Sequence, residues 1–242
     1  MPDSVSRRLP QLASAEASAD ADLSILAPVG RETLQEQVYI QLRQALMAGR
    51  FRPGQALTLR SVSEALGVSH MPVRGALQRL EAEGALSTPS GGRTLSVPEL
   101  NVAGIRELRD IRIELEGLAA QRAAEKVTPD ELLIIEKQAH LMQAAAVSGD
   151  IDSYILENWA FHSAVYRASQ MKQLLSLIEG LWLRIGPYVR LMMPDRAAMV
   201  ASMPNHHEAF KALARGDAAE ARRRIAADIA ESAAHLEAVL RP

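Results

Sequence analysis

The chain has no cysteine. That excludes a disulfide framework and any thiolate-bound metal, and by itself leaves the compartment open. Aromatic residues make up only 4% of the 242 positions. With an apolar fraction that leans on Ala and Leu, this argues for helices packed on helices over stacked sheets. No run approaches the roughly 18 apolar residues needed to cross a bilayer. The opening MPDSVSRRLPQLASAEASADADLS lacks the apolar stretch of a secretory signal. A cytoplasmic protein is expected.

Lysine is missing from residues 31–98, which carry eight Arg and five Glu for a net charge of +3. Residues 99–242 carry 17 basic and 20 acidic side chains, a net of −3. A basic module joined to an acidic one suggests that only the first meets a polyanion.

What is present reads mostly as helix. Residues 1–30, rich in Ala, Ser and Asp and closed by Pro28 and Gly30, are expected to form a disordered tail. Leu34, Val38, Leu42 and Leu46 then recur at helical spacing, and Gly49 ends the run. Two short helical patterns, SVSEALG and HMPVRGALQRLEAEG, flank Gly67-Val68-Ser69. ALSTPSGGRTLSVPEL follows as two short strands around Ser90-Gly91-Gly92. From Pro98 onward every segment is helical in pattern: 99–126, a helix starting at Thr128-Pro129-Asp130-Glu131, another opening at Gly149-Asp150, 171–193 bent at Gly186-Pro187, 204–215, and 217–240 after Gly216. Two domains, 31–98 and 99–242, are expected to join near Val97-Pro98.

In the first domain, Val62, Ala65 and Leu66 give one short helix an inner face, and Gly67 ends it. Ser69 is placed to accept from the free N–H groups of the next helix, whose first turn suits Pro72. That helix buries Val73, Ala76, Leu77 and Leu80 and turns His70, Met71, Arg74 and Gln78 outward. Two short helices at a steep angle, the second exposing Arg and short polar groups near its N-terminus, form a helix-turn-helix, with the strand pair as its wing. A plain three-helix core with a hairpin is the competing reading.

This stretch closely resembles the DNA-binding domain of the GntR family of bacterial regulators. The resemblance rests on Leu59, Arg60, Gly67-Val68-Ser69, Pro72-Val73-Arg74, Arg79-Leu80-Glu81 and Glu83-Gly84, with Ala85-Leu86 where Gly-Leu is usual. It covers about residues 31–98 and implies that Arg60, Ser69, His70, Met71 and Arg74 meet DNA. Ser90, Gly91 and Gly92 map to a wing tip that approaches the minor groove. His70 stands where relatives often have Arg or Lys, which weakens phosphate attraction there or changes the base that is read. Arg79 reads as a surface or interdomain ion pair.

In the second domain, Ile105, Leu108, Arg112, Leu115 and Ala119 share one helical face, so Arg112 points inward and needs an anion. That anion is either Glu116, four residues on, or the carboxylate of a ligand. Arg112, Glu116 and Leu118-Ala119-Ala120 resemble the start of the helical FCD effector domain of the FadR-like branch. The expected fold is therefore mainly α: an N-terminal winged helix-turn-helix followed by an all-helical FCD-type bundle.

ENWAFHSAVY places Asn158 and His162 on one face with Ile151, Ile155 and Val165. His206 shares a stripe with Met203, Phe210 and Leu213, and Asp228 shares one with Ala221, Ile225 and Ser232. Metal-binding FCD domains join an Asp-x-x-x-His pair to two His from the last two helices. The resemblance carries these positions to Asn158, His162, His206 and Asp228, so two match and two depart. The carboxylate lost at 158 reappears at 228. Two imidazoles and a carboxylate can hold Zn, Ni, Mn or Fe with positions left open for solvent or effector. The alternative is a metal-free cluster, with Asp228 on a histidine and Asn158 bridging. Arg112, Asn158, His162, Arg184 and His206 are effector-binding candidates. Arg184 lies with Tyr188 and Arg190 in RIGPYVRLM, a segment that closes the effector cavity in similar proteins. His140, His207 and His235 are expected to stand apart from the cluster.

The expected function is a transcriptional regulator, read as a repressor. It would be a homodimer on a pseudo-palindromic double-stranded operator, governed by a small carboxylate effector, with a divalent metal (Zn, Ni or Mn) as candidate cofactor. It would be cytoplasmic and nucleoid-associated, with no membrane partner. A metal-dependent enzyme and a co-regulator without specific operator binding are the rivals. No separate nucleophile or general-base motif accompanies the cluster, and the basic helix-turn-helix argues against both.

Overall fold

Capping signals in the sequence set most of the element boundaries. The computed structural model describes residues 33–89, 92 and 94–240; the tail expected at 1–30 lies outside them. Helix α1 (Leu34–Met47) starts at Thr33, whose Oγ1 accepts from the Glu36 N–H. Strand β1 (Ala56–Leu57) leads into α2 (Leu59–Leu66), where Thr58 and Ser61 cap each other's N–H groups. Gly67 ends α2 at φ 65°, a left-handed turn open to a residue without Cβ. Helix α3 (His70–Ala82) follows. Val38, Leu42 and Leu46 of α1 pack with Val73, Ala76, Leu77 and Leu80 of α3 in a continuous buried core.

The helix-turn-helix expectation holds, with three local corrections. Ala65 is exposed, and Ser63 takes its place on the inner face of α2. Ser69 occupies the N-cap position of α3, but its hydroxyl makes no capping bond. The wing is shorter than the sequence suggests. Strand β2 (Leu95–Ser96) pairs antiparallel with β1, Ala56 opposite Ser96, and among the described residues meets the preceding arm through a Ser87–Ser96 bridge.

The second part is all helix among the described residues: α4 (Val102–Lys126), α5 (Pro129–Ser148), α6 (Ile151–Ala168), α7 (Lys172–Met192), α8 (Arg196–Arg215) and α9 (Ala218–Leu240). The capped start at Thr128 and the Gly149-Asp150 junction are as expected, Glu131 closing a capping box and Gly149 adopting φ 80°. Helix α7 runs unbroken through Gly186-Pro187, and α8 begins at Arg196, eight residues before Pro204. Asp195 starts α8 by accepting from the Ala198 N–H, and Pro204 is carried inside the helix.

Helix α7 also holds α1 of the helix-turn-helix part. A Cβ on Gly186 would run into the Leu46 carbonyl and the Met47 backbone, so α1 and α7 touch backbone to backbone. Arg43 pairs with Glu179 at 2.8 Å. The Leu100 N–H donates to the Tyr188 hydroxyl at 2.6 Å, and that hydroxyl donates to the Pro98 carbonyl at 3.0 Å. The connector between the two helical parts is thus fastened to one helix. No helix among the described residues is long and apolar enough to cross a membrane.

Candidate functional site

Two sets of candidate residues gather in two places. Arg60, His70, Arg74, Gln78 and Thr94 rim a depression of about 420 Å³ between α2, α3 and β2. Arg60 lies along Glu64 at 2.8 Å on the exposed surface, while Arg74 makes no ion pair among the described residues. Met71 projects from the first turn of α3 with 72% of its surface exposed. Gly92 is exposed beyond the Ser87–Ser96 bridge; Ser90 and Gly91 lie outside the described residues. Arg79 bridges Glu36 and Glu83 at 2.8 and 3.2 Å and covers the Tyr39 ring, the ion-pair role expected of it.

The second place lies inside the bundle. Asn158 and His162 from α6, His206 from α8 and Asp228 from α9 converge, all buried. His162 Nε2 is 3.2 Å from His206 Nε2 and 3.4 Å from Asp228 Oδ2, and Asn158 Oδ1 is 3.2 Å from His206 Nε2.

The protons of this cluster follow from its neighbours. Burial first, and the Glu116 carboxylate next, push the Tyr166 phenol well above its ordinary range, so it keeps its proton. It gives that proton to Glu116 in a short hydrogen bond, and its oxygen is left to accept from His162 Nδ1–H at 2.9 Å. His206 Nδ1–H donates to the Ser202 carbonyl at 3.0 Å, since a carbonyl can only accept. Burial also lowers the His206 imidazole below its ordinary value of 6.5, Asp228 opposing and His162 adding to the shift. His206 Nε2 therefore presents a lone pair, and His162 Nε2 does so in the tautomer that donates from Nδ1 to Tyr166. Burial resists charge on Asp228, but the two imidazoles and Arg112 outweigh it and hold the carboxyl below its usual range.

Three pairs in the cluster, His162 Nε2–His206 Nε2, His206 Nε2–Asn158 Oδ1 and His162 Nε2–Asp228 Oδ2, stand 3.2–3.4 Å apart, and Asp228 Oδ1 lies 3.6 Å from His206 Nδ1. Ligands on a four-coordinate cation with bonds of about 2.05 Å sit about 3.3 Å apart, so the residues present fit a divalent metal. A hydrogen-bonded set without metal needs a proton on one imidazole and the Asn158 amide turned to present its nitrogen. Tyr166 and Ser202 hold the rings as outer partners of metal-binding histidines do. Sequence reasoning singles out neither, although Tyr166 stands four residues after His162 on the same face.

Arg112 meets its anion within the helix: Nε donates to Glu116 Oε1 at 2.7 Å. Burial works against its charge, but Glu116 outweighs it and the guanidinium stays charged. It also covers the Trp182 ring at 5.1 Å. Arg112, Asn158, His162, Trp182, Asp228 and Ser232 bound a chamber of about 20 Å³, room for about one water-sized group. An outer pocket of about 150 Å³ shares Met192, Met193, Asp228 and Ser232 with it. The Trp182 Nε1–H is buried and has no partner among the described residues. A buried donor of this kind calls for an acceptor, and no sequence pattern points to it.

Arg184 is the candidate that the structure removes from this set. It is exposed, and its guanidinium lies over Gly84 at the end of α3, 2.8 Å from where a Cβ would stand. Two residues past Trp182, it points to the opposite side of α7. Arg190 pairs with Asp152 at the surface. His140 is exposed and His207 half-buried, both outside the cluster, while His235 lines the outer pocket.

Comparison with known proteins finds matches for both parts of the chain. The family model of bacterial regulatory proteins of the gntR family matches residues 34–95, and the FCD domain model matches residues 107–231. The HTH-type transcriptional regulator McbR of Escherichia coli is 34% identical over 75% of this chain and 82% of its own. The HTH-type transcriptional repressor RspR of the same organism is 27% identical over 78% of this chain and 83% of its own. The solved structure of E. coli McbR/YncC superposes with a TM-score of 0.81 at 31% identity, covering 87% of this chain and all of that one. These relatives are transcriptional regulators, which sets the enzyme alternative aside.

Proposed function

Since this chain belongs to the GntR family of bacterial regulatory proteins, with an FCD domain, and is a DNA-binding transcriptional regulator, we propose that it is a homodimeric repressor whose operator affinity is set by a small organic acid bound beside a divalent metal. In this reading residues 31–98 are the DNA-binding domain, 99–242 bind effector and form the dimer, and the protein works in the cytoplasm on the nucleoid. The observation that carries the metal and effector is the set of convergent acceptors on His162, His206, Asp228 and Asn158 beside the unpartnered Trp182 N–H. His162, His206 and Asp228 would hold the ion, with the Asn158 amide oxygen as a fourth ligand that an effector oxygen can join or replace. A metal bound there supplies a Lewis-acidic anchor for a carboxylate oxygen. Tyr166 and the Ser202 carbonyl keep both imidazoles in the ligating tautomer. Arg112 and the Trp182 N–H supply positive charge and a donor to the second oxygen, and Met192 and Met193 give the entrance an apolar wall.

Arg60, Ser69, His70, Met71 and Arg74 would meet the operator, with Ser90, Gly91 and Gly92 at the wing. The free hydroxyl of Ser69 and the unpaired Arg74 support that role. The name of the relative RspR supports repression. Arg74→Ala should abolish specific operator binding in footprinting at physiological salt while the melting temperature stays unchanged. In the same assay, zinc-loaded wild type should release the operator when a cognate carboxylate is added, whereas Asp228→Asn should not respond. A footprint that survives Arg74→Ala contradicts the placement of α3. A carboxylate response retained in Asp228→Asn contradicts the metal-linked effector site.

A further inference from the structure

The first turn of α3 carries an exposed thioether in the middle of a polar face. Val73, Ala76, Leu77 and Leu80 define the buried side of this helix. At about 100° per residue, Met71 lies roughly opposite their mean direction, with Gln78 and Arg74 flanking it on the same outward side. At 72% exposure, Met71 is the most exposed large apolar side chain among the described residues. The groups beside it, His70, Arg74 and Ser69, are polar or charged and exposed.

We infer that Met71 reads a thymine C5-methyl group in the major groove, and so fixes a T·A pair in each operator half-site. The inference rests on the reading of α3 as the base-reading helix. A thioether has no strong donor or acceptor, so it cannot match the N7, O6 or amino edges that identify G, A or C. The thymine methyl is the one apolar group on the major-groove edges. Unbranched and flexible, Met can follow that methyl without displacing the helix. Arg74 suits the paired acceptors of guanine. Side chains three residues apart on a helix are about 5–6 Å apart, and base pairs rise about 3.4 Å. The thymine therefore lies within about two base steps of the guanine that Arg74 contacts.

The test begins by selecting bound sequences from a random DNA pool with the full-length protein. Each thymine of the selected operator is then replaced singly by deoxyuridine, which removes only the C5-methyl and keeps the pairing. Wild type should lose about fourfold in affinity at one thymine per half-site, the transfer free energy of about one buried methyl. Met71→Ala should bind more weakly and be indifferent to that replacement, while its preference for guanine at the Arg74 position remains. Met71→Leu should keep the sensitivity. If no thymine in the half-site responds, or if Met71→Ala responds as wild type does, the inference is overturned. If the pool yields no preferred sequence, α3 is not a base-reading helix and both readings fall.

Discussion

At the residue scale, His206 is held neutral by its surroundings. Burial lowers its pKa below the 6.5 of an unperturbed imidazole, and the nearby Asp228 carboxylate offsets this only in part. The unfolded chain therefore takes up a proton that the folded chain refuses, in the window below about 6.5. The stability contributed by the neutral ring is fully present above that window and is lost as the pH falls through it. Metal-free protein should melt at progressively lower temperature from pH 7 to pH 5, and His206→Gln should flatten that part of the profile. A melting temperature that rises on acidification contradicts the neutral assignment. Asp228 acts in the same direction at lower pH, since its carboxyl is held below the usual range.

Much of this cluster is legible in the residue pattern alone. Asn158, His162, His206 and Asp228 each interrupt an apolar helical stripe, and helical spacing turns all four inward. For Arg112 the pattern leaves two partners open, and in the structure it pairs with Glu116, an i,i+4 carboxylate on the same buried face. Trp182 and Ser202 cannot be found this way. An indole in an apolar helix looks like core, and its unpartnered N–H emerges only from packing. Arg184 is misplaced by the pattern because a helix with two buried faces gives no periodic signal of which side meets the cavity.

At the element scale, most of the capped helix ends are readable in the sequence. Thr128, Gly149-Asp150, Gly67 and Gly216 fall where the sequence puts them. The start of α8 does not, because Pro204 looks like a first-turn proline, while Asp195 is the residue that caps. Helix α7 matters most for function. It bears Trp182 and Met192 against the chamber and, one turn on from Trp182, Gly186 against Leu46 and Met47 of α1. In the proposed reading, an effector that shifts α7 would have to shift α1 or open that contact, which would couple the effector site to the DNA-binding elements. Helix α7 runs through Gly186-Pro187 without a break, and a continuous helix serves as a lever. A Cβ at Gly186 meets backbone that cannot turn aside. Gly186→Ala should destabilise by about 1–3 kcal/mol, seen as a lower melting temperature, and should weaken the operator response to effector more than operator binding itself. An unchanged response would show that the coupling runs elsewhere.

At the scale of the whole molecule, the basic and acidic halves divide the work. The +3 charge of residues 31–98 is concentrated in Arg, several of which reach the outer face of α2 and α3. The −3 half encloses its one deeply buried Arg with its own carboxylate. Such a division is visible in composition, although composition cannot say that the two halves meet along α7.

The central claim is that the inward-facing lone pairs on α6, α8 and α9 are closed by a metal ion. Metal-stripped full-length protein titrated with zinc against a competing chelator, with the mass of the native complex read alongside, tests it most directly. The account predicts one ion per chain, affinity reduced about 10- to 100-fold in Tyr166→Phe because the His162 ring loses its outer partner, and a larger loss in His206→Ala. The contradicting result is a native complex that takes up no metal, with ¹⁵N spectra showing a proton on Nε2 of His162 or His206.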